Sequence, residues 1–393
     1  MPTAVGPNTK GEENLVFGYD LSDTGNSYKG EPAVNLVTNA ATFNGGTWYT
    51  YDNGNDGTFI TEFGTTGYQM VNRGSWNGLY RNFNLVNSGT YTFSAWFKYL
   101  GGAASPNGGT VYISNYGSGD TASGVNKDLI GQWQRVTKTI SVTSPTDVYF
   151  YLISYGGTYG GDAHSWQVTM PQIELNSHAT PFVGGTRSAT QGLLDLTGNS
   201  TIDLSNVSFD SNAQMTFDDT NDYIQLASNG TGTVFETQTF TIETVIYPTV
   251  DPDTSEAVIW SYDFTSHSSL LYAQHLRLGG ASGLGNELGF YWNNGSTYKG
   301  MTIGNVIPTL NVHYHIVATY QSGYQAVYVN GELLNSTTEV GTINYYNQEV
   351  WISRSNFGGY FGGNIPLLKF YNRALTASEV KSNFNAIKGR FNI

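Results

Sequence analysis

Tyr91-Thr-Phe-Ser-Ala-Trp-Phe-Lys-Tyr99 decides the class of this chain. Tyr91, Phe93, Ala95 and Phe97 fall on one side of a period-two repeat, and Thr92, Ser94, Trp96 and Lys98 fall on the other. That is the pattern of a strand with one buried face. The period recurs in Thr110-Val-Tyr-Ile-Ser114, Trp133-Gln-Arg-Val-Thr-Lys-Thr-Ile-Ser-Val142, Val148-Tyr-Phe-Tyr-Leu-Ile-Ser154 and Ser165-Trp-Gln-Val-Thr-Met170. Further along it returns in Tyr223-Ile-Gln-Leu226, Phe240-Thr-Ile-Glu-Thr-Val-Ile-Tyr247, Val258-Ile-Trp-Ser-Tyr262, Leu288-Gly-Phe-Tyr-Trp292, His313-Tyr-His-Ile-Val-Ala-Thr-Tyr320 and Gln325-Ala-Val-Tyr-Val329. Turns rich in Gly, Asn, Asp and Ser separate these runs, so the chain reads as all-β, built of antiparallel β-sandwiches. Asn330-Gly331 supplies both φ > 0 positions of a type I′ hairpin. One short helix is expected near the C-terminus. Thr376-Ala-Ser-Glu379 is a capping box, Val380, Phe384 and Ile387 make an apolar stripe, and Gly389 is expected to stop it.

The 393 residues suggest two or three domains, each able to bury a core. Charged residues are only 12%, while 28 Tyr, 20 Phe and 8 Trp accompany 48 Gly, which excludes a disordered chain. Seventeen basic residues stand against 30 acidic ones, a net charge of -13 without a Lys/Arg cluster. Nucleic acid and anionic membranes are therefore not expected partners. No run of about 18 apolar residues occurs, so no membrane insertion is expected, and the first residues, Met1-Pro-Thr-Ala-Val-Gly, have no secretory pattern. The absence of cysteine excludes disulfides, thiolate metal sites and thiol nucleophiles.

A composition shift marks the organisation. From about Val37 to Phe182 the chain is rich in Gly and Tyr, and from about Gly192 the strands become longer and more aliphatic. The division expected is a tail at 1–12, a lone strand within 13–32, a first sandwich at 33–183 and a second at 184–393.

Met215-Thr-Phe-Asp-Asp-Thr-Asn-Asp-Tyr-Ile224, His315-Ile-Val-Ala-Thr-Tyr320, Val327-Tyr-Val-Asn-Gly-Glu-Leu333 and above all Leu368-Lys-Phe-Tyr-Asn-Arg-Ala-Leu-Thr-Ala-Ser-Glu-Val-Lys-Ser-Asn-Phe-Asn-Ala-Ile-Lys-Gly-Arg-Phe391 resemble the concanavalin A-like, laminin G-like jelly rolls of bacteriophage virion proteins. The resemblance covers about Thr186 to Ile393. It implies two packed antiparallel sheets whose concave face or rim binds a glycan in the lectin members. Residues from about Glu31 to Phe182, through Gly89-Thr-Tyr-Thr-Phe-Ser-Ala-Trp-Phe-Lys98, Trp133-Gln-Arg-Val136 and Trp166-Gln-Val-Thr-Met-Pro-Gln-Ile-Glu-Leu175, are similar to jelly-roll carbohydrate-binding modules. The exit Gln172-Ile-Glu-Leu-Asn-Ser-His-Ala-Thr-Pro-Phe-Val-Gly-Gly-Thr-Arg-Ser188 is similar to a recurrent phage structural-protein sequence. Phage laminin G-like domains usually open with a strand like Leu15-Val-Phe-Gly-Tyr-Asp-Leu21, here separated from its continuation, Gly192-Leu-Leu-Asp-Leu-Thr-Gly-Asn199. The expectation is that the module is inserted into the C-terminal sandwich and that the lone strand belongs to the latter.

Sugars offer C–H patches to aromatic rings and hydroxyls to amides. The glycan-binding candidates of the module are Trp48, Tyr49, Tyr51, Trp76, Tyr116, Tyr155 and Tyr159, with Tyr80 beside them, all in or near Gly/Asn-rich loops. In the C-terminal domain they are Trp292, Tyr298 and Tyr360, with Tyr291, Tyr345 and Tyr346 nearby. Phe93 and Phe97 are assigned to the core. The same ring types also suit subunit interfaces, and the sequence leaves both roles open. Calcium is the one cofactor suggested, at the carboxylates Asp218, Asp219 and Asp222, where a turn before Tyr223 is the competing account. Asp20, Asp23 and Glu31 form a weaker set. No enzyme is expected. The jelly-roll glucanases need closely set carboxylates on one strand, and Glu243 has no such partner, while His313 and His315 lack a third ligand.

These readings converge on a phage virion structural protein, a fiber, neck or capsid-surface appendage, that binds host-surface polysaccharide through loops. It would be a homo-oligomer contacting other virion proteins, located in the virion after assembly in the host cytoplasm. The alternatives are a structural adaptor or decoration protein without glycan binding, and a polysaccharide-binding accessory of a bacterial enzyme.

Overall fold

The computed structural model describes residues 13–43, 48–51, 57–74, 76–102, 107–114, 120–155, 163–226, 233–251, 256–263, 272–280, 287–304, 306–307, 309–345, 349–356 and 359–393. The first strand, β1 (Leu15–Asp20), is followed by ten strands that divide equally between two sheets. They are β2 (Tyr49–Tyr51), β3 (Thr58–Glu62), β4 (Thr65–Arg73), β5 (Gly78–Leu85), β6 (Gly89–Gly102), β7 (Asn107–Ser114), β8 (Thr121–Gly124), β9 (Trp133–Val142), β10 (Thr146–Tyr155) and β11 (His164–Glu174). One sheet has the order β9-β6-β11-β4-β3, the other β2-β5-β10-β7-β8, all antiparallel. Their inner faces share one core. Tyr91, Phe93, Ala95, Phe97 and Trp166 come from the first sheet, and Val111, Ile113, Val148, Phe150 and Leu152 from the second.

The two-residue strands Ala33–Val34 and Thr186–Arg187 pair where the chain enters and leaves this module. Between them the exit segment seals itself. Glu174 Oε2 accepts from Thr180 N at 3.1 Å, Gln172 Oε1 accepts from Val183 N at 2.9 Å, and Arg187 Nη1 donates to Pro181 O at 3.2 Å. By these contacts the exit segment packs with the module as far as Arg187. Contacts divide the chain into one unit of Met1–Pro32, Ser188–Asp210 and Gln214–Ile393, and a second of Ala33–Arg187 with Ser211–Ala213.

The other unit adds β12 (Met215–Asp218), β13 (Ile224–Leu226), β14 (Phe240–Pro248), β15 (Ala257–Asp263), β16 (Tyr272–Leu278), β17 (Leu288–Asn293), β18 (Tyr298–Ile303), β19 (Tyr314–Gln321), β20 (Tyr324–Val329), β21 (Glu332–Thr337), β22 (Glu349–Ile352), β23 (Gly362–Tyr371) and α1 (Ala377–Phe391). One sheet runs β12-β23-β14-β19-β20-β21, and the other β13-β22-β15-β16-β17-β18, each with a short strand beyond its first member. β1 lies against β23, with Phe17 opposite Phe370 and Tyr19 opposite Leu368. Asp195 ties the returning chain to this strand. Its Oδ1 accepts from Gly18 N at 3.0 Å and from Thr197 N at 3.1 Å, and its Oδ2 accepts from Asn199 N at 2.9 Å. The core between the sheets includes Phe17, Trp260, Phe290, Trp292 and Phe370.

Both turn signals near the C-terminus have physical counterparts. Asn330 at φ 51° and Gly331 at φ 77° join β20 to β21. Thr376 Oγ1 accepts from Glu379 N, and Glu379 Oε2 accepts from Thr376 N, the reciprocal bonds of a capping box. The helix passes through Gly389 and stops at Asn392, which adopts φ 56°. Phe391 is buried with Ile387, Val245 and Leu367, so packing carries the last turn beyond the glycine expected to end it.

Candidate functional site

In β10, Val148, Phe150 and Leu152 point into the module core, which leaves Tyr149 and Tyr151 on the opposite face. In β7, Val111 and Ile113 do the same and leave Tyr112 outside. Register then aligns residues far apart in sequence. Tyr49 on β2 is opposite Tyr80 on β5, Tyr80 is opposite Tyr151, and Tyr151 is opposite Tyr112. Four strands thus carry four tyrosines in one row, spanning three inter-strand gaps or about 14 Å.

The rings touch along the row. Centroids are 5.5 Å apart for Tyr49 and Tyr80, 5.4 Å for Tyr80 and Tyr151, and 5.1 Å for Tyr151 and Tyr112. Tyr51 packs on Tyr80 and Tyr151 at 5.9 and 5.4 Å. Tyr155 stacks on Tyr112 at 4.6 Å, and Trp76 meets Tyr155 at 4.9 Å and Tyr112 at 5.7 Å. Trp76 adopts φ 70°, a left-handed conformation rarely taken by a bulky residue, which aims its indole at this end of the row. Tyr49 is 58% exposed, while Tyr112 is buried beneath its neighbours.

A polar row lies alongside. Tyr149 pairs across strands with Asn82 and Ser114, and beyond it Asn84 Nδ2 donates to Asp147 Oδ1 at 2.8 Å. Tyr112 donates its phenol to Asp120. Burial raises the Tyr112 phenol, with the Asp120 carboxylate adding to the shift, and burial also raises that of Tyr151. Both phenols remain neutral donors across the physiological range. The surface therefore combines apolar ring faces with hydroxyl and amide groups, the chemistry that a saccharide matches.

Tyr49, Tyr51, Trp76, Tyr80 and Tyr155, proposed from loop proximity, all belong to this surface. Tyr112, Tyr149 and Tyr151 were missed, although their alternation with Val, Ile, Phe and Leu was visible. Trp48 turns the other way. It packs on Phe43 and Phe150 and lines a 240 Å³ pocket with Thr50, Phe59, Tyr68 and Leu79. Tyr116, Tyr159 and Tyr346 lie outside the described residues.

In the first unit Tyr291 and Tyr298 both meet the ring of Tyr272, at 6.4 and 4.5 Å, and the other described candidates lie apart from them. Trp292 is a core residue, a correction to its assignment. It is fully buried, its ring 4.5 Å from that of Tyr320, with Nε1 donating to Gln325 Oε1 at 3.1 Å. The parity Leu288, Phe290, Trp292 already placed it inside. Tyr298 stacks on Tyr272 at 4.5 Å, Tyr345 donates to Thr237 O at 2.6 Å, and Tyr360 is half-buried.

The acidic candidates do not form a calcium site. Asp218 Oδ1 accepts from Thr220, Asn221 and Asp222 N at 2.9, 3.0 and 3.2 Å, and Asp222 Oδ2 accepts from Ser208 N. These carboxylates build the turn before Tyr223. Asp20 pairs with Arg390 at 2.6 Å, and Asp23 accepts from Asn26. Among the described residues no group of three His, Asp or Glu is placed to hold a metal.

Two buried polar clusters remain in this unit. Under α1, Glu243 accepts from His315 Nε2, Tyr371 OH and Asn383 Nδ2, each at 2.9 Å. Burial opposes its ionisation, but Lys369, His315 and Tyr371 prevail and hold its carboxyl down at about 2. On the other sheet, Arg277 bridges Glu256 at 3.2 Å and Glu287 at 2.9 Å. Nearby Asp263, fully buried with Ser261 and Asn356 N as partners, is pushed up to about 7 by burial.

Residues 218–381 match a laminin G-type model of the concanavalin A-like lectin/glucanases superfamily. Solved structures with similarity to this chain include the botulinum neurotoxin serotype D binding domain, at 13% identity and a TM-score of 0.38, covering 51% of this chain and 49% of that one. The binding domain of Paraclostridial Mosquitocidal Protein 1 is similar at 16% identity and a TM-score of 0.36, covering 49% of each chain. The botulinum neurotoxin type G receptor binding domain has 18% identity and a TM-score of 0.33, covering 50% of this chain and 49% of that one. The chain spans about half the length of these solved chains. No curated protein matches it.

Proposed function

We propose that this protein binds host-surface polysaccharide through the tyrosine row of its module, as a structural component of a phage virion. The observation that carries the binding reading is the alignment of Tyr49, Tyr80, Tyr151 and Tyr112 in one cross-strand row, flanked by Asn82, Ser114 and Asn84. A sandwich needs only one face of each sheet for its core, and the rings of this row lie on the other face, packed on one another outside that core. An extended glycan laid along the row meets rings on one side and amides on the other. Each contact is weak, and display of many copies on a particle converts weak sites into firm attachment.

The virion setting is supported by the resemblance of Leu368–Phe391 and of Gln172–Ser188 to phage structural sequences. Labelling of intact particles with an antibody to this chain tests it, and particles lacking the chain would end it. Glycan-array and whole-cell binding of the full protein test the ligand. Tyr80→Ala and Tyr151→Ala are expected to lower retention about tenfold or more each, since central rings of an interface dominate its energy. Unchanged retention by both folded variants, or no binding to any glycan or cell, would overturn the reading. Rings buried between subunits, revealed by a change of oligomeric state in the same variants, would favour the adaptor role. The proposed role is binding without catalysis, and release of reducing sugar from a bound polysaccharide would contradict it.

A further inference from the structure

The module's other sheet carries, on its outer face, an aromatic group of different character, with Phe63 exposed and Trp96 and Trp133 half-buried. β9 and β6 pair so that Trp133 stands opposite Lys98, and Arg135 opposite Trp96, in neighbouring rows of one face. The Lys98 ammonium lies 5.3 Å from the Trp133 ring centre. Against both indoles sits Phe63, with ring centres 5.4 Å from Trp133 and 6.4 Å from Trp96.

Phe63 is an unexpected residue for its position. It joins β3 to β4 at φ 52° and is followed by Gly64 at φ 72°, the left-handed pair that Asn-Gly normally fills. An aromatic residue is strained there, and Phe63 remains 57% exposed, so burial does little to offset that strain. The two cations also differ. Arg135 donates to Ser94 Oγ at 3.1 Å and to Ala179 O at 3.4 Å, and it lies near the buried Glu174. Lys98 contacts the Trp133 ring and makes no ion pair with any described residue. In a chain of net charge -13, an ammonium held over a half-buried indole on the outer face of the sheet is poised for an external anion. Its row continues through Gln167, whose Nε2 donates to Gln69 Oε1 at 2.6 Å.

We propose that this face is a second saccharide site, specific for a carboxylated sugar such as a uronic acid. The rings of Trp133, Trp96 and Phe63 stack on the sugar, Lys98 pairs with its carboxylate, and Gln167 and Gln69 meet its hydroxyls. This goes beyond the tyrosine row, which has no cation in its register, and gives one module two binding faces with different ligand charge. Rings and amides alone would accept neutral sugars equally, so the commitment to a carboxylate rests on Lys98.

The test uses the full chain with polygalacturonate, its methyl ester and poly-L-glutamate in affinity electrophoresis and calorimetry. Polygalacturonate is expected to bind, to weaken as salt is raised, and to exceed its ester about tenfold. Lys98→Gln should lower binding to the acid form about fivefold or more, and Trp133→Ala should abolish it. Equal binding of acid and ester, or an unaltered affinity in Lys98→Gln, overturns the assignment. Poly-L-glutamate bound as tightly as polygalacturonate would do the same, because the site would then read charge without the sugar. If Trp133→Ala fails to fold, Lys98→Gln carries the test alone. The tyrosine variants act on neutral glycans and Lys98→Gln acts on polygalacturonate, so failure of one proposal is distinguishable from failure of the other.

Discussion

Glu243 offers the sharpest test of how α1 is held. Its carboxylate accepts three hydrogen bonds of 2.9 Å, from His315, Tyr371 and Asn383, and it is 1% exposed. Asn383 belongs to α1, so the network pins the helix to the outer face of β14, β19 and β23. The folded carboxyl titrates at about 2 instead of 4.5. A depressed acid pKa contributes stability that is present above the unfolded value and lost as pH falls toward the folded one. The shift corresponds to about 3 kcal/mol, lost between about pH 5 and pH 2. Glu243→Gln keeps the shape and removes the titration, so the stability of this unit should fall less steeply in acid than that of the parent. Glu243→Ala removes one partner of a buried charge network and should cost about 3–5 kcal/mol at neutral pH. Urea denaturation over a pH series measures both, with hydrogen exchange of peptides 240–248 and 377–391 assigning the transition to this unit. A Glu243→Gln protein with the parent's acid dependence, or a cost under about 1 kcal/mol for Glu243→Ala, would refute the reasoning.

Asp263 has the opposite sign, because burial raises its carboxyl to about 7 and stability then falls as pH rises from about 4 to 7. Asp263→Asn is expected to raise the urea midpoint at about pH 8 and to leave it nearly unchanged at about pH 4. Gly331 adopts φ 77°, and a Cβ there would lie 2.7 Å from the Phe384 ring, so Gly331→Ala should cost about 2 kcal/mol or more and loosen α1 in hydrogen exchange. Trp292→Ala should destabilise its unit by about 3–5 kcal/mol in denaturant titration, the cost of a core cavity.

The strands were legible because burial of one sheet face imposes a period of two, as Tyr91–Tyr99 and Val148–Ser154 show. The same period carried half of the candidate site. Tyr149 and Tyr151 alternate with core residues, so their outward direction could be read from β10 alone. Their union with Tyr49, Tyr80 and Tyr112 could not, because register depends on turns and on the bulge at Ile153 and Ser154. Loop proximity was a weaker guide, since it selected Trp292, which parity places in the core. The calcium reading turned on whether carboxylates converge or build a turn, and sequence spacing suits both. The helix end at Asn392 depends on the burial of Phe391, a tertiary contact with no local signal.

The two outer faces of the module make the functional reading separable by solution conditions. Along the tyrosine row, burial raises the Tyr112 and Tyr151 phenols, so neither titrates near neutrality. Stacking and neutral hydrogen bonds are also only weakly screened by salt. Binding there should stay flat across neutral pH and moderate ionic strength. The opposite face depends on one ammonium beside a half-buried indole, and an attraction of that kind falls as salt rises. A host polysaccharide containing both neutral and uronic sugars would therefore be held by a salt-insensitive and a salt-sensitive contact at once. Retention of such a polymer should fall partway as salt increases and then level off at the strength of the tyrosine row. Collapse to zero would mean that the row contributes no binding, and absence of any fall would mean that Lys98 contributes none.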